Sequence, residues 1–178
     1  HPGQGTSNCR FFFANSALEL LYLRDAKEAG AGPGRGLRFQ ERISEPSASP
    51  LGLVLNGSAD AAAPFSGWRY QPDYFERGQS ILIGDNSDLL AEPLCIYMPF
   101  EFPFDPSQIR SDKPFDTVSE VRVCVPVSAP STVLDAVSRL EEISLLTDGD
   151  HLLELFFNDG IKGQLRDFRP DLPLVIHY

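Results

Sequence analysis

The feature that most constrains the fold is a single carboxylate inside an otherwise apolar run. Residues Ala17–Leu23 read ALELLYL, and Glu19 is the one charged residue among them. If this run is a strand, its side chains alternate between two faces, and both faces are apolar apart from Glu19. Such a strand is predicted to be covered on both sides. Glu19 would then lie in a dehydrated space, where a carboxylate is costly unless it is paired, protonated or bound to a metal.

A related pattern returns near the C-terminus, where residues 152–157 read LLELFF. Each copy contains Leu-Glu-Leu, then further apolar residues, and then an aspartate (Asp25 in the first copy, Asp159 in the second). Two strands that each direct a carboxylate inward, from Glu19 and from Glu154, indicate a duplicated module around a shared cavity.

Composition narrows the class of protein. With 178 residues and 42% hydrophobic content, the chain can bury a core as one domain or as two fused modules. A formal net charge of −10 disfavours nucleic-acid partners, since their binding depends on Lys and Arg neutralising phosphates. No run approaches the roughly 20 apolar residues needed to span a bilayer, so no membrane partner is expected. Cys9, Cys95 and Cys124 lack a Cys-x-x-Cys spacing, which favours buried, reduced thiols in a cytoplasmic protein.

Turn and breaker residues divide the chain into three parts. Residues 1–98 contain a predicted hairpin (10–13 with 17–23), a Gly-rich flexible connector at 30–36, and several strands. Residues 99–117 read as a Pro-rich connector, which is the best boundary. Residues 118–178 form the clearest unit: a strand from 118, a helix starting at 128–130, and strands at 152–157 and 172–178.

One loop combines aromatic residues with turn formers. Residues 67–75 read GWRYQPDYF. Such a loop can close over a cavity mouth, with Trp68, Tyr70 and Tyr74 as an apolar wall and Arg69 as an anion contact. The alternative is a loop that only plugs the end of the core. Arg10 is either a further ligand contact or the ion partner of Glu19.

Several of these motifs resemble the vicinal oxygen chelate superfamily in its glyoxalase-like branch. Residues 1–8, HPGQGTSN, followed by ALELL at 17–21, are similar to the His-x-x-x-Gly-Thr-x-Asn loop and Leu-Glu-Leu strand of that branch. GWRY at 67–70 and DFRPDLPL at 167–174 also look like such proteins. The resemblance implies an α+β fold of βαβββ modules, with mixed β-sheets around a cleft.

The resemblance also implies a metal site. Proteins of this family bind a divalent metal such as Zn, Fe, Mn or Ni through His or Glu ligands from both modules. Glu19 is the best match, as ligand or as catalytic base; Glu154 and His1 are weaker candidates. The first module lacks its N-terminal strand and helix, so the His often found on that strand has no counterpart. Either that segment was lost, or another chain supplies it, or the protein has abandoned the metal.

Three functions follow as expectations. The first is a metal-free module that binds a small oxygenated molecule in a cleft, and the scarcity of His favours it. The second is a metal-dependent lyase, isomerase or dioxygenase, in which the metal polarises vicinal oxygens and a carboxylate shuttles a proton. The third is a structural domain without a ligand. A homodimer is expected as well, because an incomplete module would expose sheet edges.

Overall fold

The computed structural model of the protein describes residues 1–58, 60–100 and 115–178. These residues form short helices and mixed sheets, so the predicted α+β class is confirmed. The strands are β1 (Thr6–Phe12), β2 (Ala17–Leu23), β3 (Gly52–Asn56), β4 (Gly67–Tyr70), β5 (Ile81–Gly84), β6 (Leu94–Met98), β7 (Val118–Cys124), β8 (Ile143–Leu146), β9 (Leu152–Phe157), β10 (Leu165–Asp167) and β11 (Leu174–His177). The α-helices are α1 (Ala26–Ala31), α2 (Phe39–Ser44) and α3 (Thr132–Val137), and 3₁₀ helices lie at Pro33–Leu37, Asp85–Asp88 and Asn158–Gly160.

The predicted N-terminal hairpin is confirmed. Strands β1 and β2 are antiparallel and form a two-stranded sheet, with Arg10 opposite Glu19. Phe13, in the turn after β1, is buried in a core cluster with Phe157, and Leu18 packs against that cluster. The hairpin is therefore held to the five-stranded sheet by apolar side chains, while neither strand pairs with a third among the described residues.

A four-stranded sheet follows in the order β3-β6-β5-β4. Strand β3 runs parallel to β6, and the other pairs are antiparallel. One face contributes Leu53, Cys95 and Tyr97 to a buried cluster that also contains α3. The alternation of buried and exposed residues along β3 shows that only one face of this strand is covered, rather than both as a continuous apolar run predicts.

A five-stranded sheet has the order β10-β11-β9-β7-β8. Strands β7 and β8 are parallel and joined by α3, which is a βαβ crossover. The helix begins later than predicted, because Ser131 is its N-cap and its hydroxyl accepts a hydrogen bond from the Leu134 amide. Val133 and Leu134 on this helix pack against both sheets, so α3 lies in the main core.

The five-stranded sheet has two chemically different faces. The inner face carries apolar residues such as Val121, Val123 and Leu155 into the core clusters. Residues in register on the other face, here called the outer face, are of mixed character. The polar ones are Glu120 and Arg122 on β7, Ser144 on β8, Glu154 on β9, His177 on β11 and Asp167 on β10, and the others are Cys124, Leu146, Leu152, Phe156, Leu165 and Val175.

Three expectations about local structure are wrong. The Gly-rich stretch is not a loose connector, because Pro33–Leu37 is a 3₁₀ helix whose Gly34 and Leu37 are buried. A Cβ atom on Gly34 would lie 3.2 Å from the Tyr70 hydroxyl, so the backbone of this helix packs closely against Tyr70. Cys9 is exposed rather than buried. The two Leu-Glu-Leu copies are not equivalent, since β2 belongs to a hairpin and β9 lies in the middle of a sheet.

The predicted division into residues 1–98, 99–117 and 118–178 stays a prediction. Most of the connector lies outside the described residues, because 101–114 are not described.

Candidate ligand-binding site

Glu19 lies at the surface and is paired. Its Oε2 atom is 3.0 Å from Nε of Arg10, and its side chain is 35% exposed. The prediction that Glu19 points into a dehydrated interior is therefore wrong. The physical reason is the pairing: two adjacent strands leave much of this face open to water, and the cross-strand arginine neutralises the carboxylate. The role of Glu19 as a ligand or catalytic base stays a prediction.

Other predicted residues gather near this ion pair. The ring of His1 stacks on Tyr74 at 5.1 Å, and its Nδ1 atom is 3.0 Å from the Thr6 hydroxyl. The Tyr74 hydroxyl donates to Oε1 of Gln4 at 2.9 Å. Partial burial raises the pKa of Tyr74 well above its ordinary value, and the nearby Tyr70 and Glu19 add to the shift. Tyr74 is thus a neutral hydrogen-bond donor beside the hairpin.

The residues of β4 point to two different places. Tyr70 is buried among core residues, and Trp68 packs against the same cluster while its Nε1 donates to the Ser87 hydroxyl. Arg69, between them, points to the opposite face, where Nη1 donates to the Ser80 hydroxyl at 3.2 Å. Trp68 and Tyr70 therefore occupy core positions, whereas Arg69 borders an open depression.

Glu154 lies at the centre of the outer face. Its Oε1 atom is 2.9 Å from Nε2 of His177 on β11, and its Oε2 atom is 3.5 Å from Nη1 of Arg122 on β7. The Glu154 side chain is only 16% exposed, compared with 35% for Glu19. The environment that the sequence predicts for Glu19, a carboxylate largely shielded from water, is thus found at Glu154.

Neighbouring side chains hold this arrangement in place. Phe156 lies between the two partners of Glu154, with the His177 ring stacked on it at 4.2 Å and the Arg122 guanidinium 4.6 Å from its centroid. Arg122 also pairs with Glu120 at 3.1 Å, and Glu120 accepts a hydrogen bond from the Ser144 hydroxyl. Fixed partners reduce the freedom of each side chain, so the functional groups of this face are preorganised.

The thiol next to this network is shielded. Burial raises the pKa of Cys124, and the Glu154 carboxylate raises it further, while the Arg122 charge acts in the opposite direction. Cys124 is therefore a protonated thiol at neutral pH and not a nucleophile.

The partnership of His177 with Glu154 was not predicted. In the sequence, His177 is a lone histidine in the last predicted strand, where a structural role is the usual one. The pairing depends on the parallel register of β11 with β9, in which His177 lies beside Phe156 and Val175 beside Glu154. Alternation of the last strand could have placed His177 on the face opposite Leu174 and Ile176, but only the strand order identifies Glu154 as its neighbour.

The predicted metal ligands do not form one cluster. Among the residues that the structure describes, no group of three or more His, Cys, Asp or Glu side chains could hold a metal ion. His1 contacts Thr6, Glu19 pairs with Arg10, and Glu154 belongs to another sheet. A divalent metal stays a prediction based on the resemblance.

The chain is therefore an α+β protein in which one face of the five-stranded sheet carries a network of paired polar side chains. No protein-family model matches the chain, and no curated protein or solved structure matches it either. In the described part of the chain, every helix is too short or too polar to cross a bilayer.

Proposed function

We propose that the chain binds a small oxygenated molecule on the outer face of the five-stranded sheet. The observation that carries this proposal is the placement of Glu154 between His177 and Arg122, at 2.9 and 3.5 Å, on the sheet face opposite the core. A largely shielded carboxylate held by two fixed partners is preorganised in the way that a ligand-orienting site requires.

The two partners of Glu154 retain unused hydrogen-bonding capacity. Arg122 has five N–H donors, and the contacts to Glu120 and Glu154 engage two of its nitrogen atoms. Glu154, when ionised, accepts only, so Nε2 of His177 carries the proton in their hydrogen bond. Nδ1 of His177 makes no hydrogen bond within the described part of the chain. This face therefore offers guanidinium donors to a carbonyl or carboxylate oxygen, and one ring nitrogen that is not engaged by the protein.

The glyoxalase-like interpretation belongs to this proposal. In support of it, residues 118–178 have the order strand, helix and then several strands, with α3 in the crossover between β7 and β8. This unit has one strand more than a βαβββ module. Because the order of its first elements agrees, residues 118–178 are the proposed C-terminal module. The hairpin belongs to the proposed incomplete first module.

A metal-dependent lyase, isomerase or dioxygenase is the second candidate. His177 and Glu154 supply one nitrogen and one oxygen donor side by side, but the described residues supply no third ligand to this pair. Elemental analysis of the purified protein, after incubation with Zn²⁺ and Mn²⁺ and desalting, tests this candidate. Stoichiometric metal that is lost in Glu154→Gln supports it, and absence of metal from both proteins contradicts it.

Calorimetric titration tests the proposed binding function. Lactate, pyruvate and catechol represent a hydroxy acid, an oxo acid and a vicinal diol, and we expect at least one to bind. Arg122→Gln should weaken that binding at least about tenfold, which corresponds to ~1.4 kcal/mol. Arg139→Gln is the matched control, because Arg139 also forms an ion pair, with Asp135, but on the exposed end of α3.

Arg122→Lys is a second variant that separates loss of binding from a folding defect. The lysine retains the charge but loses the planar fork, so it should fold like the parent and bind with intermediate affinity. Lack of binding by the unmodified protein, or equal binding by both Arg122 variants and the parent, would contradict the proposal. In that case a structural domain without a ligand becomes the better description.

A further inference from the structure

A concave surface lies away from the outer face, on the four-stranded sheet, where it extends across β4, β5 and β6. This depression has a volume of about 430 Å³, within the range of small-molecule sites. Its described lining includes Arg69 from β4, Ser80 beside β5, Leu82 from β5, Tyr97 from β6, and Pro99 and Phe100 beyond β6. Arg69, Leu82 and Tyr97 lie in one register row, so the strand pairing itself brings the cation and the apolar groups together.

Arg69 is the only charged residue among the described lining residues. It forms no ion pair with any described residue, and its hydrogen bond goes to the neutral Ser80 hydroxyl at 3.2 Å. By contrast, Arg38, which borders another depression, is paired with both Glu41 and Asp88. Arg69 thus keeps the planar pair of donors that a carboxylate engages in two parallel hydrogen bonds.

The rest of the lining favours a ligand whose uncharged part is apolar. Leu82 is half-buried, and Phe100 packs edge-on against Phe75 with ring centroids 5.7 Å apart. Tyr97 is buried, and its hydroxyl already donates to the Ala61 carbonyl at 3.3 Å, so it presents mainly its ring. A ligand that fills this depression would therefore cover aliphatic and aromatic surface, and burial of such surface is favourable.

The charge of the ligand follows from the number of cations. A phosphate group carries close to two negative charges and is usually held by several donors, such as a glycine-rich loop with a lysine. This depression has one guanidinium and no second cation in its described lining. A single negative charge, as on a carboxylate, matches it.

We propose that this depression binds a small monocarboxylate with an aromatic or aliphatic body, held by Arg69. The site is separate from the outer face, and the proposal does not depend on the proposed function there. An arylcarboxylate places its charged group on Arg69 and its ring between Leu82 and Phe100.

The test uses the full chain and three aromatic probes. Benzoate and 4-phenylbutyrate carry the carboxylate, and benzyl alcohol carries a similar ring without charge. Two-dimensional amide NMR follows residues 80–82 and Phe100 during each titration. We expect saturable shifts at these residues for the carboxylates, with benzyl alcohol binding at least about tenfold more weakly.

Two variants assign the effect to Arg69. Arg69→Gln should reduce carboxylate affinity to that of benzyl alcohol, and Arg69→Lys should retain part of it. Arg77→Gln is the control, because Arg77 is an exposed arginine in the connection between β4 and β5 that does not belong to the described lining. Unchanged affinity in Arg69→Gln, or the absence of saturable shifts at these residues, would overturn the proposal. Signals of His177 report on the outer face separately, so the two proposals can fail independently.

Discussion

Glu92 accepts two hydrogen bonds from Ser131, one from the backbone amide and one from the hydroxyl, each at 2.6 Å. Glu92 precedes β6 in the four-stranded sheet, whereas Ser131 is the N-cap of α3 in the other sheet's crossover. Asn86 also donates to Glu92 at 2.9 Å, and the Glu92 side chain is buried. One carboxylate therefore links the two sheets at the start of the helix they share.

Replacement of Glu92 by Gln should lower the free energy of unfolding by about 1–3 kcal/mol, because the amide group brings a donor to a place where all the partners are donors. Urea denaturation followed by circular dichroism measures this change. Glu45→Gln is the control, since Glu45 is exposed. If both variants have the same free energy of unfolding, the hydrogen bonds of Glu92 do not contribute to stability.

Phe157 connects the N-terminal hairpin to the five-stranded sheet. It is fully buried and meets Phe13 edge-on at 4.7 Å and Phe115 at 5.2 Å. Phe157→Ala should therefore destabilise the protein by about 3–5 kcal/mol. The same substitution at the exposed Phe168 should cost far less. If Phe157→Ala and Phe168→Ala unfold at the same denaturant concentration, this placement of Phe157 is contradicted.

The three thiols should differ in reactivity. Cys9 is exposed, whereas Cys95 is fully buried, and burial raises the pKa of Cys95 to about 12. Burial raises the pKa of Cys124 as well. At pH 8 a thiol reagent should label Cys9 first, and mass spectrometry should find the other two unlabelled until the protein unfolds. The Cys9→Ser variant retains only Cys95 and Cys124. Rapid labelling of this variant in its folded state would contradict the predicted order of reactivity.

Asp167 should titrate far below an ordinary aspartate. Hydrogen bonds from Arg169 lower the pKa of Asp167 from 3.8 to about 2. Because the pKa is lower in the folded state, the stabilising effect is fully present above the ordinary value of 3.8 and disappears as the pH falls toward 2. Carboxyl ¹³C NMR should show a midpoint that moves up toward 3.8 in Arg169→Gln. An Asp167 midpoint that is the same in both proteins would show that Arg169 is not the cause.

Local patterns predicted the hairpin and the strands β9 and β11, because alternation and turn residues act over a few positions, whereas the short strands β8 and β10 were not predicted. Helical spacing also predicts a buried face at Val133, Leu134, Val137 and Leu140, and the first three are buried on α3, which ends at Val137 before Leu140. Helical spacing identifies which residues are buried, but the N-cap at Ser131 owes part of its position to Glu92, 39 residues earlier.

The candidate site was harder to predict, since it depends on strand order. The sequence around Glu19 and that around Glu154 are nearly the same, yet one carboxylate is paired at the surface and the other is shielded in a sheet centre. The difference arises from neighbours: β9 is flanked by β7 and β11, which bring Arg122 and His177 to Glu154. No pattern within the strand itself contains this information.

The most direct test of the outer-face site is the ¹⁵N spectrum of the imidazole rings during titration with lactate or pyruvate. His177→Gln assigns the His177 signals among the three histidines. Binding at the outer face predicts a saturable shift of His177 Nδ1 that is lost or strongly reduced in Glu154→Gln, while the signals of His1 and His151 stay in place. Unmoved His177 signals throughout the titration, or a saturable shift that is unchanged in Glu154→Gln, would contradict the account.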